Sequence, residues 1–358
     1  MEVLATVVHL RHEDFHLYNS DVKTSSRSST PWDSFEDAEL DPIECYLKHK
    51  YHKHFDSHHI RISDTDEAEF LNSIPVKYCH HCGSDQIIRW GHKGRLNRYY
   101  CKQCRRTFVI TTNTIFDNHK LTIEEWIEYC LNLFSYGSTN LVSKANKNSI
   151  TTARYWLLKV FSLLKEYQND IQLSGKIYLD ETYYKKRNPD VVKKQNDKEY
   201  RGLSKNQECI FTAIDEDGHI VAIVNGTGKP SQQRCWNALG NHIKPGSYLV
   251  HDKERAHKIL IRSLNLDDEV HDSKECIRLS NDENPLQPVN DLHKMIKAFL
   301  NTHSGFDRSH LQDYLNLFVF IYNGRENQLS RVYDLVKMGL SKPISLKYRD
   351  VFLPRHEY

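Results

Sequence analysis

No apolar run in the sequence is long enough to cross a bilayer, which excludes a helical membrane span. Met1 to Leu10 lacks a basic n-region and a small-residue cleavage site, so no secretory signal is expected and a cytoplasmic location is. An excess of one charge sign is missing too: 49 Lys and Arg against 47 Asp and Glu leave +2, which by itself selects no partner. The cysteines do not form an even set. Of the nine, four form two CxxC pairs and five (Cys45, Cys130, Cys209, Cys235, Cys276) are scattered. That pattern points to a metal site in a reducing compartment, not to a disulfide framework. What is present is soluble material, 39% hydrophobic and 27% charged, and 358 residues suffice for two or three domains.

The charge is unevenly placed. Residues 1–70 hold 15 Asp and Glu against 7 Lys and Arg, whereas residues 71–120 hold 9 Lys and Arg against 2 Asp and Glu. A local basic block is the electrostatic footprint of a polyanion partner. The acidic, His-rich region 1–75 has no assignable role. Ser20 to Trp32 reads as a loop or linker, Asp41 to Tyr51 can start a short helix, and His49 to His59 is either a solvated surface or a metal binder.

Residues 76–118 carry the strongest local signal. Cys79-His-His-Cys82 and Cys101-Lys-Gln-Cys104 stand 18 residues apart, the arrangement of a zinc ribbon in which each CxxC turn points two thiolates at one ion. Two matched pairs argue against the rival reading, a redox dithiol. His80 and His81 are read as bystanders. So small a ribbon buries little core, so a structural zinc is expected to hold it together. It displays Arg89, Lys93, Arg95, Arg98, Lys102, Arg105 and Arg106, interleaved with Trp90, Tyr99, Tyr100 and Phe108. Basic residues among aromatics suit phosphate contact and stacking, although a solvated basic ribbon used for protein contact remains open.

Residues 119–170 read as helical. Thr122 with Glu125 is a capping box, and Ile127, Leu131 and Phe134 follow at helical spacing. Asn140 to Ala145 and Thr151 to Leu164 give two more helices around a turn at Asn146–Ser149. Three helices with a tight turn before the last suit a helix-turn-helix, with Arg154 and Lys159 as DNA-contact candidates. A plain helical spacer is the alternative.

The segment 171–330 is organised around Gly175 to Thr182, a short apolar strand ending in Asp180 and Glu181. A carboxylate at the end of a core strand needs a cation, either Lys or Arg or a hard divalent metal. A hairpin follows (Glu208–Asp215 and His219–Val224), then a candidate helix at Ser231–Leu239. Ser247 to Asp252 repeats the pattern of an apolar strand ending in an acid, ahead of a helix at Glu254–Leu264 and a weak strand near Val270. Strand, hairpin, helix, strand, helix is the order of an RNase H-like α/β domain. Its first strand is central and its fourth lies beside it, so Asp180 and Asp252, 72 residues apart, would share one ion. Glu181 and His251 would face away as structural groups. A last helix is expected from Gly305 to Asn323, and the tail 331–358 is uninformative.

In combination these motifs resemble the bacterial insertion-sequence transposases with a zinc ribbon and a DDE-type catalytic domain. The resembling residues are the ribbon with Arg-Arg-Thr-Phe108 and Thr-Asn-Thr-Ile-Phe116 after it, Leu-Asp-Glu-Thr-Tyr183, Pro288 to Lys297, Gly305-Phe306, and Leu311 to Phe318. The resemblance covers about residues 76–325; residues 1–75 carry none. It implies a third catalytic position on a helix, with a basic residue seven positions later. Lys297 is that basic residue, which makes Asn290 the third position. Many relatives have Glu there and a subgroup has Asn, a neutral carbonyl ligand. Glu283, Asp291 and His293 are rival ligands.

The resemblance further implies two catalytic ions, Mg²⁺ or Mn²⁺, with Asp180 bridging both, Asp252 and Asn290 holding one each, and Lys297 on a DNA phosphate. It implies cleavage and joining of double-stranded DNA, terminal inverted repeats to target, by a homodimer on DNA in the bacterial nucleoid. A non-catalytic zinc-ribbon DNA-binding protein and an RNase H-type nuclease are the competing functions.

Overall fold

The computed structural model describes residues 34–56, 64–117, 122–324 and 328–352. The Ser/Thr-rich stretch Ser20–Trp32 and the end of the His-rich run lie outside them. The chain divides into two compact units, one running to Gly137 and taking in Asn327–Ser345, the other Ser138–Glu326 with Leu346–Tyr358. The division falls inside the 119–170 segment. Among the described residues no helix is long and apolar enough to cross a membrane.

The first unit holds α1 (Pro42–Asp56), α2 (Asp64–Ser73), the three-stranded sheet β1 (Ile87–Lys93), β2 (Leu96–Cys101) and β3 (Thr107–Phe108), then α3 (Ile123–Phe134). Asp41 starts α1: its Oδ1 accepts from the backbone N–H of Ile43 and Glu44, with Pro42 at the first helical position, where a missing N–H costs nothing. The expected capping box of α3 is formed. Thr122 accepts from the Glu125 N–H at 3.2 Å, and Glu125 accepts from the Thr122 N–H at 2.9 Å. Ile123, Trp126, Ile127, Cys130, Leu133 and Phe134 form the buried stripe.

A further helix, Gln328–Ser341, packs on α1 and α3. The tail after Arg331, uninformative in sequence, is therefore helical in large part. Leu329, Val332, Val336 and Leu340 are buried at helical spacing there. Gly339 on this helix meets Ile115 and Phe116, and a Cβ would come within 2.9 Å of each. A methyl group would push into that packing.

The second unit opens with α4 (Thr139–Ala145) and α5 (Ile150–Leu164), capped by Ser138 and Ser149 and packed together around a turn in which Lys147 is left-handed. A five-stranded sheet follows: β4 (Lys176–Lys185), β5 (Gln207–Asp215), β6 (Ile220–Thr227), β7 (Tyr248–Asp252) and β8 (Asp267–His271), in the order β6-β5-β4-β7-β8. β6, β5 and β4 pair antiparallel, whereas β4, β7 and β8 pair parallel. β4 is central with β7 beside it, and the weak strand near Val270 is the parallel edge β8.

The two faces of β4 divide by parity, as side chains on a strand must. Ile177 and Leu179 join Leu249, Cys235 and Leu239 of α6 (Gln232–Leu239), and Leu260 of α7 (Lys258–Leu264), in one buried core. The helix expected from Glu254 is a 3-10 turn at Arg255–His257 running into α7. On the other face α8 (Gln287–Thr302) packs on β4 and β5, and α9 (Leu311–Tyr322) on β6 and α5. The last expected helix begins later than Gly305. Gly305 is left-handed at φ +92° and Asp307 caps a 3-10 turn, so α9 starts at Leu311.

Candidate metal and active sites

The four ribbon cysteines converge on two matched turns. In the first, the Gly83 N–H donates to the Cys79 carbonyl and the Cys79 N–H to the Ser84 carbonyl, both at 2.8 Å. In the second, the Arg105 N–H donates to the Cys101 carbonyl at 2.9 Å and the Cys101 N–H to the Arg106 carbonyl at 3.0 Å. Each turn needs a left-handed residue, Gly83 at φ +75° and Arg105 at φ +59°. Backbone N–H groups point at sulfur: His81 N lies 3.4 Å from Cys79 Sγ and Cys104 N 3.5 Å from Cys101 Sγ.

Across the turns, Cys79–Cys104 and Cys82–Cys101 are both 3.6 Å apart, and all four sulfurs lie within 4.8 Å of one another. Four thiolates around a tetrahedral ion with bonds of about 2.3 Å would stand about 3.8 Å apart. The cluster can hold a metal. His80 Nδ1 meets the Thr112 carbonyl at 3.0 Å and His81 Nε2 the Thr107 carbonyl at 3.2 Å, so both rings are tied to backbone.

Around the cluster Arg89, Lys93, Arg95, Lys102, Arg105 and Arg106 are exposed. Arg98 is half-buried and donates to the Trp90 carbonyl at 3.0 Å. Trp90 is 51% exposed, with Tyr100 at 5.3 Å between centroids. Arg154 is exposed on α5, but Lys159 is not. It is 3% exposed, its ammonium 4.8 Å over the Tyr155 ring. Five residues on from Arg154 is about 140° around a helix, so the two cannot share a face. Lys159 is a core residue, not a DNA-contact residue.

The carboxylates meet on the sheet. β4 and β7 pair in parallel up to Leu179–His251, so Asp180 and Asp252 are the next neighbours; Asp252 ends β7, but β4 does not end at Asp180 as expected and runs on, paired with β5, to Lys185. Burial pushes the Asp180 carboxyl up to about 7, and the charges of Asp252 and Glu181 push it the same way. The Glu181 N–H donates to Asp180 Oδ1 at 2.8 Å. Asp252 Oδ1 accepts from the Glu254 N–H at 2.9 Å, and Oδ2 from the Ser273 hydroxyl at 3.1 Å. About a quarter of each carboxylate side chain stays accessible, 25% for Asp180 and 22% for Asp252. Two half-buried acids side by side form a site that calls for a cation.

Glu181 turns to the opposite face, as parity requires, and joins a buried chain that the sequence did not suggest. Glu181 Oε1 lies 3.1 Å from His257 Nε2, and His257 Nδ1 lies 2.9 Å from His251 Nδ1. His251 Nε2 reaches Asp268 Oδ2 at 3.4 Å, and His257 Nδ1 stands 3.8 Å from Asp252 Oδ1. Burial opposes charging His257, but the hydrogen bond and charge of Glu181, with Asp252 and Asp180, outweigh it and raise its pKa. The chain backs both aspartates with hydrogen-bonded groups. Replacing His257 with Ala leaves Glu181, 8% exposed, without its partner. It is expected to cost about 3 kcal/mol of stability, read as a lower urea midpoint at unchanged m-value.

On the other face α8 carries Asn290, His293 and Lys297 at spacings of three and four, one stripe of the helix. Of the three, His293 is seen to reach β4. Its Nδ1 lies 4.0 Å from Asp180 Oδ2, and its Nε2 lies 2.7 Å from Thr212 Oγ1. Burial, then the charge of Lys297, pushes His293 down to about 3. Asn290 is half-buried one turn earlier and Lys297 exposed one turn later.

The remaining rivals are engaged elsewhere. Glu283 accepts from the Ser280 hydroxyl at 2.8 Å on the loop before α8, and Asp291 accepts from Lys294 at 2.9 Å and Gln287 at 2.7 Å. Besides His251–Asp252–His257, two further trios, Asp37–Cys45–His49 and Asp215–Asp217–His219, bring possible ligand atoms within 4.8 Å of one another. In the first, Lys48 already donates to Asp37 at 3.3 Å and His49 Nε2 meets it at 2.6 Å. The second lies in the β5–β6 turn, whose Asp215 ends β5 three residues after Thr212.

Comparison with known proteins places a family on this second unit. Residues 172–323 match the ISXO2-like transposase domain. An uncharacterized protein in transposable element ISH50 of Halobacterium salinarum is 32% identical over 68 residues, 18% of this chain and 23% of that protein. The chain thus spans under a quarter of the length of the curated relative it matches. Among solved structures, the catalytic domain of Mos1 mariner transposase aligns over 53% of this chain and 90% of its own, at 16% identity and TM-score 0.28. A Mos1 mariner paired-end complex with Mn aligns over 95% and 86%, at 13% identity and TM-score 0.27. A simian T-cell lymphotropic virus intasome chain aligns over 54% and 67%, at 10% identity and TM-score 0.28. Scores this low carry no structural argument. The matched stretch 172–323 holds the whole sheet that carries Asp180 and Asp252, so the likeness of this stretch is to the ISXO2-like transposase domain.

Proposed function

We propose that the protein is a DNA transposase that binds insertion-sequence ends and cleaves and joins DNA strands with divalent metal ions. The observation that carries this reading is the adjacency of Asp180, midway along β4, and Asp252, at the end of β7, inside a stretch that matches a transposase domain. The strand order β6-β5-β4-β7-β8, with its first strand central, is that of an RNase H-like sheet and supports the same reading.

The donor set fits hard cations. Asp180 and Asp252 offer carboxylate oxygens, Asn290 an amide oxygen, and the elevation of Asp180 by burial and like charge shows a site short of positive charge. Two Mg²⁺ or Mn²⁺ ions held there would supply Lewis-acid stabilisation of the attacking and leaving oxygens of an in-line displacement at phosphorus. The protein's own groups do the rest. Asp180, hydrogen-bonded by the Glu181 N–H, and Asp252, hydrogen-bonded by the Glu254 N–H and Ser273, are held in fixed orientations. Lys297 is available to a DNA phosphate from the exposed end of the α8 stripe. Glu181 and His257 support the two aspartates from behind.

The ribbon, residues 76–118, is read as a zinc-stabilised DNA-binding module whose exposed arginines and lysines meet phosphates. Within 119–170, α4, the Asn146–Ser149 turn and α5 provide a helix-turn-helix in which Arg154 is the contact residue. Residues 171–330 are the catalytic domain. Joining two ends to one target suits a homodimer on double-stranded DNA. The test is Mg²⁺- or Mn²⁺-dependent cleavage and strand transfer of a terminal-repeat oligonucleotide by the full chain. The neutral Asn290 favours one second reading, a DNA-binding protein without cleavage activity, and detectable cleavage excludes it.

A further inference from the structure

We propose that His293 is itself a ligand of the divalent metal at Asp180, its Nδ1 placing a nitrogen donor among the oxygens. The proposal rests on the metal-dependent reading above and deepens it.

Three hydrogen-bonding groups decide the matter. Thr212 stands opposite Asp180 in register on β5. Its hydroxyl has one proton, and it donates that proton to the Asp180 carbonyl at 2.7 Å, a group that can only accept. His293 Nε2 lies 2.7 Å from the same hydroxyl oxygen. With the hydroxyl proton spent, Nε2 must carry a hydrogen and donate it. In a neutral imidazole Nδ1 is then a bare lone pair.

Nδ1 stands 4.0 Å from Asp180 Oδ2, too long for a hydrogen bond. The side chains are 10% and 25% exposed, so little water screens them. Two lone-pair donors this close repel unless a cation lies between. Bonds of about 2.1 Å from one ion to nitrogen and to oxygen allow donor separations from about 3.0 Å at a right angle to about 4.2 Å in line. The observed gap falls within that span.

The geometry is also that of metal-binding histidines in general, in which one ring nitrogen is fixed by a hydrogen bond so that the other can coordinate. Thr212 is the fixing group, and it bonds the backbone of the very residue that shares the ion. Asn290 comes one turn earlier on the same stripe, so α8 can offer an amide oxygen and an imidazole nitrogen together. A nitrogen donor shifts metal preference from Mg²⁺, which takes oxygen ligands, toward Mn²⁺ and its softer neighbours.

The experiment uses Mn²⁺ with the full chain and reads pulsed EPR. A hyperfine coupling from directly coordinated imidazole nitrogen is expected in the wild type. It should change on ¹⁵N-histidine labelling and disappear in His293→Gln, with a Mn²⁺ affinity loss of about tenfold or more. Thr212→Val, which frees the ring, should weaken the coupling while leaving His293 in place. His257→Gln separates the other imidazole near Asp252 and should leave the coupling intact. Absence of nitrogen coupling in the wild type, or its persistence in His293→Gln, overturns the proposal and leaves an all-oxygen site standing. Absence of any Mn²⁺ binding dependent on Asp180 overturns the metal-dependent reading and this inference with it.

Discussion

Asp180→Ala is expected to reduce strand cleavage and strand transfer by at least about a thousandfold, the scale on which a single charged partner contributes to phosphoryl transfer. The loss should appear at saturating DNA, because Asp180 belongs to the second unit and the ribbon arginines that are proposed to bind the ends belong to the first. Gel-shift affinity for a terminal-repeat duplex should therefore stay within a fewfold of wild type. Asp252→Ala should behave alike, and the double variant should be no worse than either single one, since both remove the same charge cluster. The local fold should tolerate both changes. The like charges of Asp252 and Glu181 raise Asp180, so removing one acid relieves repulsion in the metal-free protein. Unimpaired strand transfer in either single variant would remove the basis for the proposed chemistry.

Loss of zinc should do the opposite, abolishing end recognition before chemistry. Beneath β1–β3 the buried ribbon core is only Cys79, Cys101 and Phe108, with Val76, Ile87 and Tyr99 packed against it. That is too little apolar surface to hold three short strands, and structural zinc contributes on the order of 10 kcal/mol to such modules. Cys101→Ser is thus expected to lose about one equivalent of zinc, to unfold the ribbon strands β1–β3 and to weaken end binding by tenfold or more. Trp90 fluorescence and metal content report the change. The second unit has its own core on both faces of β4 and should keep its cooperative melting transition. Retention of stoichiometric zinc by the Cys101 variant would show that the four thiols are not the ligand set.

Much of this architecture was legible because its signals are local. The capping box at Thr122 and Glu125 is three residues long and formed as read. The CxxC turns needed only their spacing, and the strands carrying Asp180 and Asp252 announced themselves by an apolar run followed by an acid, although only β7 ends there and β4 runs on to Lys185. The parity of β4 then separated Asp180 from Glu181.

What was missed depends on partners distant in the chain. His257 and Glu181 are 76 residues apart, and Thr212 lies 32 residues from Asp180 and 81 from His293. No single-sequence pattern links them before the sheet order is known. Lys159 was misassigned because a lysine on an amphipathic helix is usually outward. Here it snorkels over Tyr155 inside the core. The helix Gln328–Ser341 was overlooked although Leu329, Val332, Val336 and Leu340 have the right spacing, and Gly339 near its end serves close packing on Ile115 and Phe116.

The account turns on a shared cation site where Asp180 of β4 lies beside Asp252 at the end of β7. Anomalous diffraction from crystals of the full chain soaked in Mn²⁺ tests it most directly. Two peaks about 3.5–4 Å apart, both bonded by Asp180, one of them reaching Asp252 and the other the Asn290–His293 stripe, are the predicted result. Mn²⁺ bound only at other carboxylates, such as Asp215 or Asp37, with nothing coordinated by Asp180, would contradict it.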